Sequence, residues 1–276
     1  MQLTVGDLVF DLTTWGPADG PVVLLLHGFP QSSHSWRLVA PGLADAGYRV
    51  VAPDQRGYSP GARPDGSQAY RLPRLVEDAT GLLDGLGAAT ADVVGHDWGA
   101  AVAWQLGAHH PDRVRTLTAV SVPHPLAFVE ALRHDPEQRE KSLYMRDFAR
   151  LGYDEELLAD DASGLRQFFT GAGPDVDVAD CVSRATEPGA LASWLAWYAA
   201  QRLEDIRDTP RVTVPTMHVW STADAALGRS GALGTAAYVD GPYRFEQLDD
   251  VSHWVPEQAA LALVELLLEH LAQTPG

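Results

Sequence analysis

The chain has 276 residues, of which 46% are apolar and 21% charged, so its composition is that of a globular protein long enough to bury a large core as one or two domains. Its net charge of −17 disfavours nucleic acid and anionic membrane surfaces as partners through long-range repulsion, and a strongly anionic substrate would need a local basic pocket. The single cysteine, Cys181, excludes an internal disulfide, and with no signal-peptide pattern and no apolar run of membrane-spanning length the expected location is the cytoplasm.

Leu3 to Val5 and Leu8 to Leu12 read as a hairpin turning at Gly6-Asp7. Val22 to Leu26 is continuously apolar, the pattern of a strand buried on both faces, and it runs into His27-Gly28-Phe29-Pro30. A polar turn over Gln31 to Ser35 can cap a helix from Trp36 to Ala46. Arg49 to Ala52 is a further buried strand, followed by Asp54-Gln55-Arg56-Gly57-Tyr58-Ser59-Pro60, a loop to Ala69 and a helix over Leu72 to Leu86.

Ala91 to Val94 is the next strand, and it turns at once into an Ala-rich helix through Gly95-His96-Asp97-Trp98-Gly99-Ala100. Small residues at 95 and 99 let strand and helix approach closely, which lifts the central side chain above the sheet at a helix N-terminus. Serine hydrolases carry Ser at such an elbow; here it is Asp97. A carboxylate can displace a group at an sp3 carbon and form an alkyl ester, which water then cleaves at its carbonyl. A serine would give an ether with no easy exit. The elbow therefore points to an epoxide or an alkyl halide and away from ester or peptide cleavage, against the plainer reading of an Asp N-cap at an ordinary junction. Gly57-Tyr58-Ser59-Pro60-Gly61 mimics a serine elbow, but Pro60 has no N–H for an oxyanion and no apolar helix follows, so Ser59 reads as a loop residue.

Val114 to Val120 continues the alternation of strand and helix, which demands a largely parallel sheet covered by helices. The alternation then breaks. Residues 123–210 show helical patterns only, clearest over Arg139 to Leu151 and Leu191 to Leu203, with Pro123, Pro125, Pro210 and Pro215 as plausible hinges. Strands resume at Thr216 to Trp220 and Tyr243 to Leu248, before a helix over Ala259 to Leu271. The expected organisation is a core of residues 1–122 and 211–276 with a helical lid of residues 123–210 over the C-terminal strand ends. His253, in the loop before the last helix, is the expected base. Asp224, after the Thr216 to Trp220 strand, is the expected orienting acid, since Asp249 and Asp250 lie too near His253 in sequence to reach back. The oxyanion hole would be the backbone N–H groups of Phe29 and Trp98, with Pro30 allowing a cis peptide that aims the first of them.

Together with Ser252-His253-Trp254, these motifs resemble the α/β-hydrolase fold superfamily over essentially the whole chain, and most closely its epoxide hydrolase branch. The resemblance implies a mostly parallel eight-stranded sheet flanked by helices, with an inserted all-helical cap. It also implies two ring-opening tyrosines. Lys141-Ser142-Leu143-Tyr144-Met145 looks like the family segment that carries the first. Leu195-Ala196-Trp197-Tyr198 looks like the one that carries the second, with Ala196 and Ala199 where the family more often has Asn and Arg. Tyr153 is the spare candidate. A phenol of ordinary pKa about 10 can hydrogen-bond or protonate the leaving alkoxide.

The expected substrates are water and a small apolar epoxide, aryl epoxides included, bordered by Phe29, Trp98 and Trp254, with a vicinal diol as product and no metal or organic cofactor. The chain carries no P-loop, dinucleotide or zinc-helix motif, and is expected to work as a monomer or homodimer. The alternative is a haloalkane dehalogenase, which shares Asp97, Asp224 and His253 and would bind halide with Trp98 and a lid indole, Trp194 or Trp197. The paired tyrosines have no comparable task in that reaction. A non-catalytic binding relative is the third reading, disfavoured by the intact Asp-Asp-His set.

Overall fold

Eight strands form one sheet in the computed structural model, which describes residues 1–272. In chain order they are β1 (Gln2–Val5), β2 (Leu8–Trp15), β3 (Val22–Leu26), β4 (Arg49–Pro53), β5 (Ala91–His96), β6 (Val114–Val120), β7 (Thr216–Ser221) and β8 (Tyr243–Leu248). Across the sheet the order is β1-β2-β4-β3-β5-β6-β7-β8. β2 runs antiparallel to β1 and β4, and every other pair is parallel. Every residue of β3 and β5 is buried, as continuous apolar runs require when both sheet faces are covered.

Successive strand residues point to opposite faces and so feed two cores. Leu24, Leu26 and Val93 pack with α2 (Leu72–Gly85) and α3 (Trp98–His109), whereas Val23, Leu25 and Val94 pack with α1 (Ala40–Asp45) and α12 (Ala260–Ala272). Six helices lie between β6 and β7, with no strand among them: α4 (Pro125–His134), α5 (Pro136–Lys141), α6 (Tyr144–Phe148), α7 (Tyr153–Gln167), α8 (Val178–Ala185) and α9 (Ala190–Ala200). Two short helices complete the set, α10 (Arg229–Gly234) and α11 (Val255–Gln258), the latter just before α12.

Three helices differ from the sequence expectation. The stretch Trp36 to Ala46 is not one helix: Ser33–Trp36 is a 3-10 turn, and α1 starts only at Ala40, where Pro41 fits the first turn because its missing N–H would be unpaired there anyway. The expected helix over Arg139 to Leu151 is broken at Ser142-Leu143 into α5 and α6. The buried Gln138 donates to Ser142 Oγ (3.0 Å) and Ala226 O (2.8 Å), and this tertiary anchor outweighs the local preference to continue. α9 stops at Ala200, because Gln201 is extended.

Candidate active site

The elbow between β5 and α3 holds Asp97 at φ 52°, ψ −121°, a conformation that β-carbon-bearing residues adopt only under constraint. Its neighbours explain how it persists. A methyl group on Gly95 would strike Gly99 O, and one on Gly99 would strike Leu26 O, so strand and helix meet only because both residues lack side chains. Gly28 is pressed as closely against the Asp97 side chain. The Phe29 N–H, beside a cis Phe29–Pro30 peptide, donates to Asp97 Oδ1 at 2.8 Å. Burial alone would raise the Asp97 carboxyl, but His253 and the Trp98 backbone amide hold it below the usual carboxylate range.

His253 sits beside it. Its Nε2 lies 3.5 Å from Asp97 Oδ2, and its Nδ1 lies 2.9 Å from Asp224 Oδ2. The backbone N–H groups of Ala226 (2.7 Å) and Leu227 (2.9 Å) occupy Asp224 Oδ1, which leaves the other oxygen aimed at the imidazole. Burial opposes charge on His253, yet Asp224 and then Asp97 raise its pKa well above the ordinary value. Asp224 is also buried but held below the carboxylate range, chiefly by His253 and these amides. The resting arrangement is thus an imidazolium between two carboxylates. Asp249 and Asp250 are exposed and take no part in orienting the ring; Asp249 accepts from Gln247 Nε2.

Two chambers meet over Asp97, and Tyr144 and Tyr198 line both. One, about 280 Å³, is walled by hydrocarbon from Leu72, Val122, Phe128, Leu132, Met145 and Ile206 among others. The other, about 400 Å³, is bordered by Phe29, Phe148, Phe168, His253 and Trp254, and also by the exposed Thr170, Ala223 and Asp250. The two tyrosine rings lie 6.3 Å apart, centre to centre. Burial, and then the neighbouring negative charge of Asp97, pushes Tyr144 upward; burial, the adjacent Tyr144 and Asp97 do the same to Tyr198. Both phenols keep their protons.

Tyr198 is fixed by edge contacts with Trp98 (5.0 Å), Phe148 (4.9 Å) and Phe29 (5.5 Å). Ala196 and Ala199 instead face a separate crevice of about 650 Å³ that holds neither Asp97 nor His253. Trp254 stacks on Phe169 at 4.7 Å.

Other sequence candidates fall elsewhere. Tyr153 lies outside both chambers, under the Arg150 guanidinium at 4.7 Å. Ser59 is a buried brace, donating to Asp54 O and accepting from Asp11 N. The α9 indoles are committed to the core: Trp194 Nε1 donates to Gly57 O (3.1 Å) and Trp197 Nε1 to Arg56 O (2.9 Å). No sequence motif signals that β5, β6 and β7 end in side chains gripping the His253 loop. His96 reaches His253 O, Ser121 Oγ the same atom, and Ser221 Oγ reaches Ser252 O. Among the described residues no group of His, Cys, Asp and Glu is arranged to hold a metal ion, and no helix is long and apolar enough to cross a membrane.

Comparison with known proteins gives the same direction. The family model of the alpha/beta hydrolase fold matches residues 21–172. The AB hydrolase superfamily protein YfhM of Bacillus subtilis is 35% identical, over 93% of this chain and 92% of that protein. Epoxide hydrolase A of Mycobacterium tuberculosis is 34% identical, again over 93% of this chain and 92% of the relative. Among solved structures, the Bacillus megaterium epoxide hydrolase in complex with an inhibitor superposes with a TM-score of 0.90 at 26% identity, covering 99% of this chain and 100% of that one.

Proposed function

The chain belongs to the alpha/beta hydrolase fold family, in its epoxide hydrolase branch, and from that premise we infer the chemistry that this site performs. It is a hydrolase that converts an epoxide and water to a vicinal diol. The observation that carries the residue assignment is that Asp97, Tyr144 and Tyr198 line both chambers together, with the Asp97 carboxyl held below its ordinary range and both phenols above theirs.

In the first step Asp97 attacks an epoxide carbon, the C–O bond breaks, and Tyr144 and Tyr198 stabilise and protonate the departing oxygen. This leaves a hydroxyalkyl ester on Asp97. Esterification removes the anion beside His253, one of the charges that raise its pKa, so the imidazole gives up its proton, which restores the phenol that protonated the departing oxygen, and becomes a base. In the second step His253, oriented by Asp224, takes a proton from water, whose oxygen attacks the ester carbonyl. The amides of Phe29 and Trp98 receive the oxyanion. Collapse expels the diol and restores the carboxylate.

The core of residues 1–122 and 211–276 supplies nucleophile, acid and base, and the lid of residues 123–210 supplies both phenols. The hydrocarbon lining of the smaller chamber favours an epoxide with an apolar substituent, and Phe29, Trp98 and Trp254 border the reacting end. The commitment of Trp194 and Trp197 to backbone carbonyls weighs against a dehalogenase, which would need a free lid indole beside Trp98 for halide.

The test is intact-protein mass of His253→Gln after brief exposure to a terminal epoxide or a primary alkyl bromide. A gain equal to the whole epoxide, with none from the bromide, is expected. An alkyl gain from the bromide, with bromide release, would instead establish dehalogenation. No adduct from either reagent across several chain lengths would remove Asp97 as nucleophile.

A further inference from the structure

The loop that carries His253 follows β8 and has no ladder of its own, so something else must set where its imidazole sits. The structure places three donors at the C-terminal ends of three adjacent strands, β5, β6 and β7, against two successive carbonyls of this loop. Ser221 Oγ donates to Ser252 O at 2.9 Å. His96 Nε2 lies 2.8 Å from His253 O, and Ser121 Oγ donates to the same oxygen at a longer 3.4 Å. Val255 N, at the start of α11, is the remaining donor to it, at 2.9 Å.

We propose that His96, aided by Ser121, is a positioning residue for the ester-hydrolysis step, clamping the His253 carbonyl so that the imidazole is aimed at the water that attacks the Asp97 ester. This rests on the reading of His253 as the base of that step. A carbonyl oxygen only accepts, so His96 must donate through Nε2–H, which leaves its Nδ1 without a proton. The surroundings agree: Nδ1 is buried with no partner, and burial, followed by the nearby His253 charge, holds the His96 pKa down at about 4. The ring is therefore neutral, 4.9 Å from that of His253, and adds no positive charge where His253 must accept a proton.

The two chemical steps make different demands on this geometry. During ring opening His253 contributes only a neighbouring charge, which falls off slowly with distance. During hydrolysis Nε2 must lie within hydrogen-bond reach of a water that is itself aligned on the ester carbonyl, and a misplacement of about 1 Å costs on the order of a hundredfold. Asp224 fixes one end of the imidazole, and the clamp fixes the backbone from which it hangs.

The experiment measures ring opening by single-turnover quench and ester breakdown by following the mass of the alkylated protein. In His96→Leu, breakdown should slow by about tenfold to a hundredfold while ring opening changes by less than about threefold. The ester then accumulates, and kcat and KM fall together. His96→Gln, whose amide N–H can replace Nε2–H, should recover most of the lost hydrolysis rate. Ser121→Ala leaves the elbow sequence untouched and should show the same split at smaller size, so the test survives if the leucine variant fails to fold. Equal slowing of both steps in His96→Leu, or a glutamine variant no faster than the leucine one, would overturn the clamp while leaving Asp97 alkylation intact. Loss of all alkylation in the wild-type enzyme would instead overturn the underlying two-step reading.

Discussion

Nε2 of His253 lies 3.5 Å from Oδ2 of Asp97, so in the resting site the proposed base of the second step is the counter-ion of the proposed nucleophile of the first. Each holds the other in its charged form: Asp97 below the carboxylate range, His253 above the imidazole range. This sets different acid limits for the two steps. Ring opening needs ionised Asp97, whose lowered pKa keeps it active as pH falls below the usual carboxylate range. Hydrolysis needs neutral His253 in the ester, where the imidazole is still raised by Asp224 but not by Asp97. The hydrolysis limb should therefore lie at higher pH than the ring-opening limb, and lowering the pH should make the alkyl-enzyme accumulate. Rapid-quench mass spectrometry across pH checks this; coincident limbs would contradict the coupling.

Tyr144 and Tyr198 are both raised above the ordinary phenol value of about 10, so the protonated, donating form persists beyond the pH at which an exposed tyrosine ionises. Single-turnover ring opening should show no alkaline loss up to about pH 10. Either Phe substitution should slow ring opening by about tenfold to a hundredfold, because one phenol remains, and the double substitution should exceed both. Breakdown of a preformed ester should be nearly unchanged. An alkaline limb near neutrality, or equal effects on both steps, would remove the tyrosines from the acid role.

The elbow was legible because its constraint is local: two glycines flank one residue between an apolar strand and an apolar helix, and the Asp97 backbone is strained as that spacing requires. The order Asp97, Asp224, His253 was legible because strand ends are fixed by short apolar runs. The break between α5 and α6 was not, since it depends on Gln138 reaching Ala226, 88 positions away. Nor was the His96 clamp, whose two partners are 157 positions apart and meet only once the sheet is ordered. The indoles of Trp194 and Trp197 read as free donors in sequence, and only packing of α9 on the core commits them to Gly57 and Arg56.

Gly28 lies where any β-carbon would overlap Cβ and Oδ1 of Asp97. Gly28→Ala should therefore push the nucleophile away from the Phe29 N–H that now holds it at 2.8 Å. Overpacking of this kind costs about 1–3 kcal/mol, which a domain of this size tolerates. The expected result is a folded protein with a melting temperature a few degrees lower and ring opening slowed by about a hundredfold. Wild-type ring opening in a folded Gly28→Ala enzyme would show that this contact does not set the nucleophile's position.

Glu257, four residues after His253, is almost fully buried and accepts from Arg37 and from Gln31 Nε2. Arg37 also donates to Asp175 O, and Asp177 N lies 3.4 Å from Glu257 Oε1, so this cluster ties the segment between α7 and α8 to the His253 side of the core. Burial raises the Glu257 pKa, and Arg37 opposes that shift. Removing Arg37 strands a buried carboxylate, so Arg37→Met should destabilise the fold by on the order of 3 kcal/mol. Removing the charge as well, in Arg37→Met/Glu257→Gln, should restore much of that loss, because no unpaired ion remains. Urea denaturation of the four proteins in this cycle gives the coupling directly. A double variant no more stable than Arg37→Met would mean that the arginine acts through packing of its stem rather than through its charge.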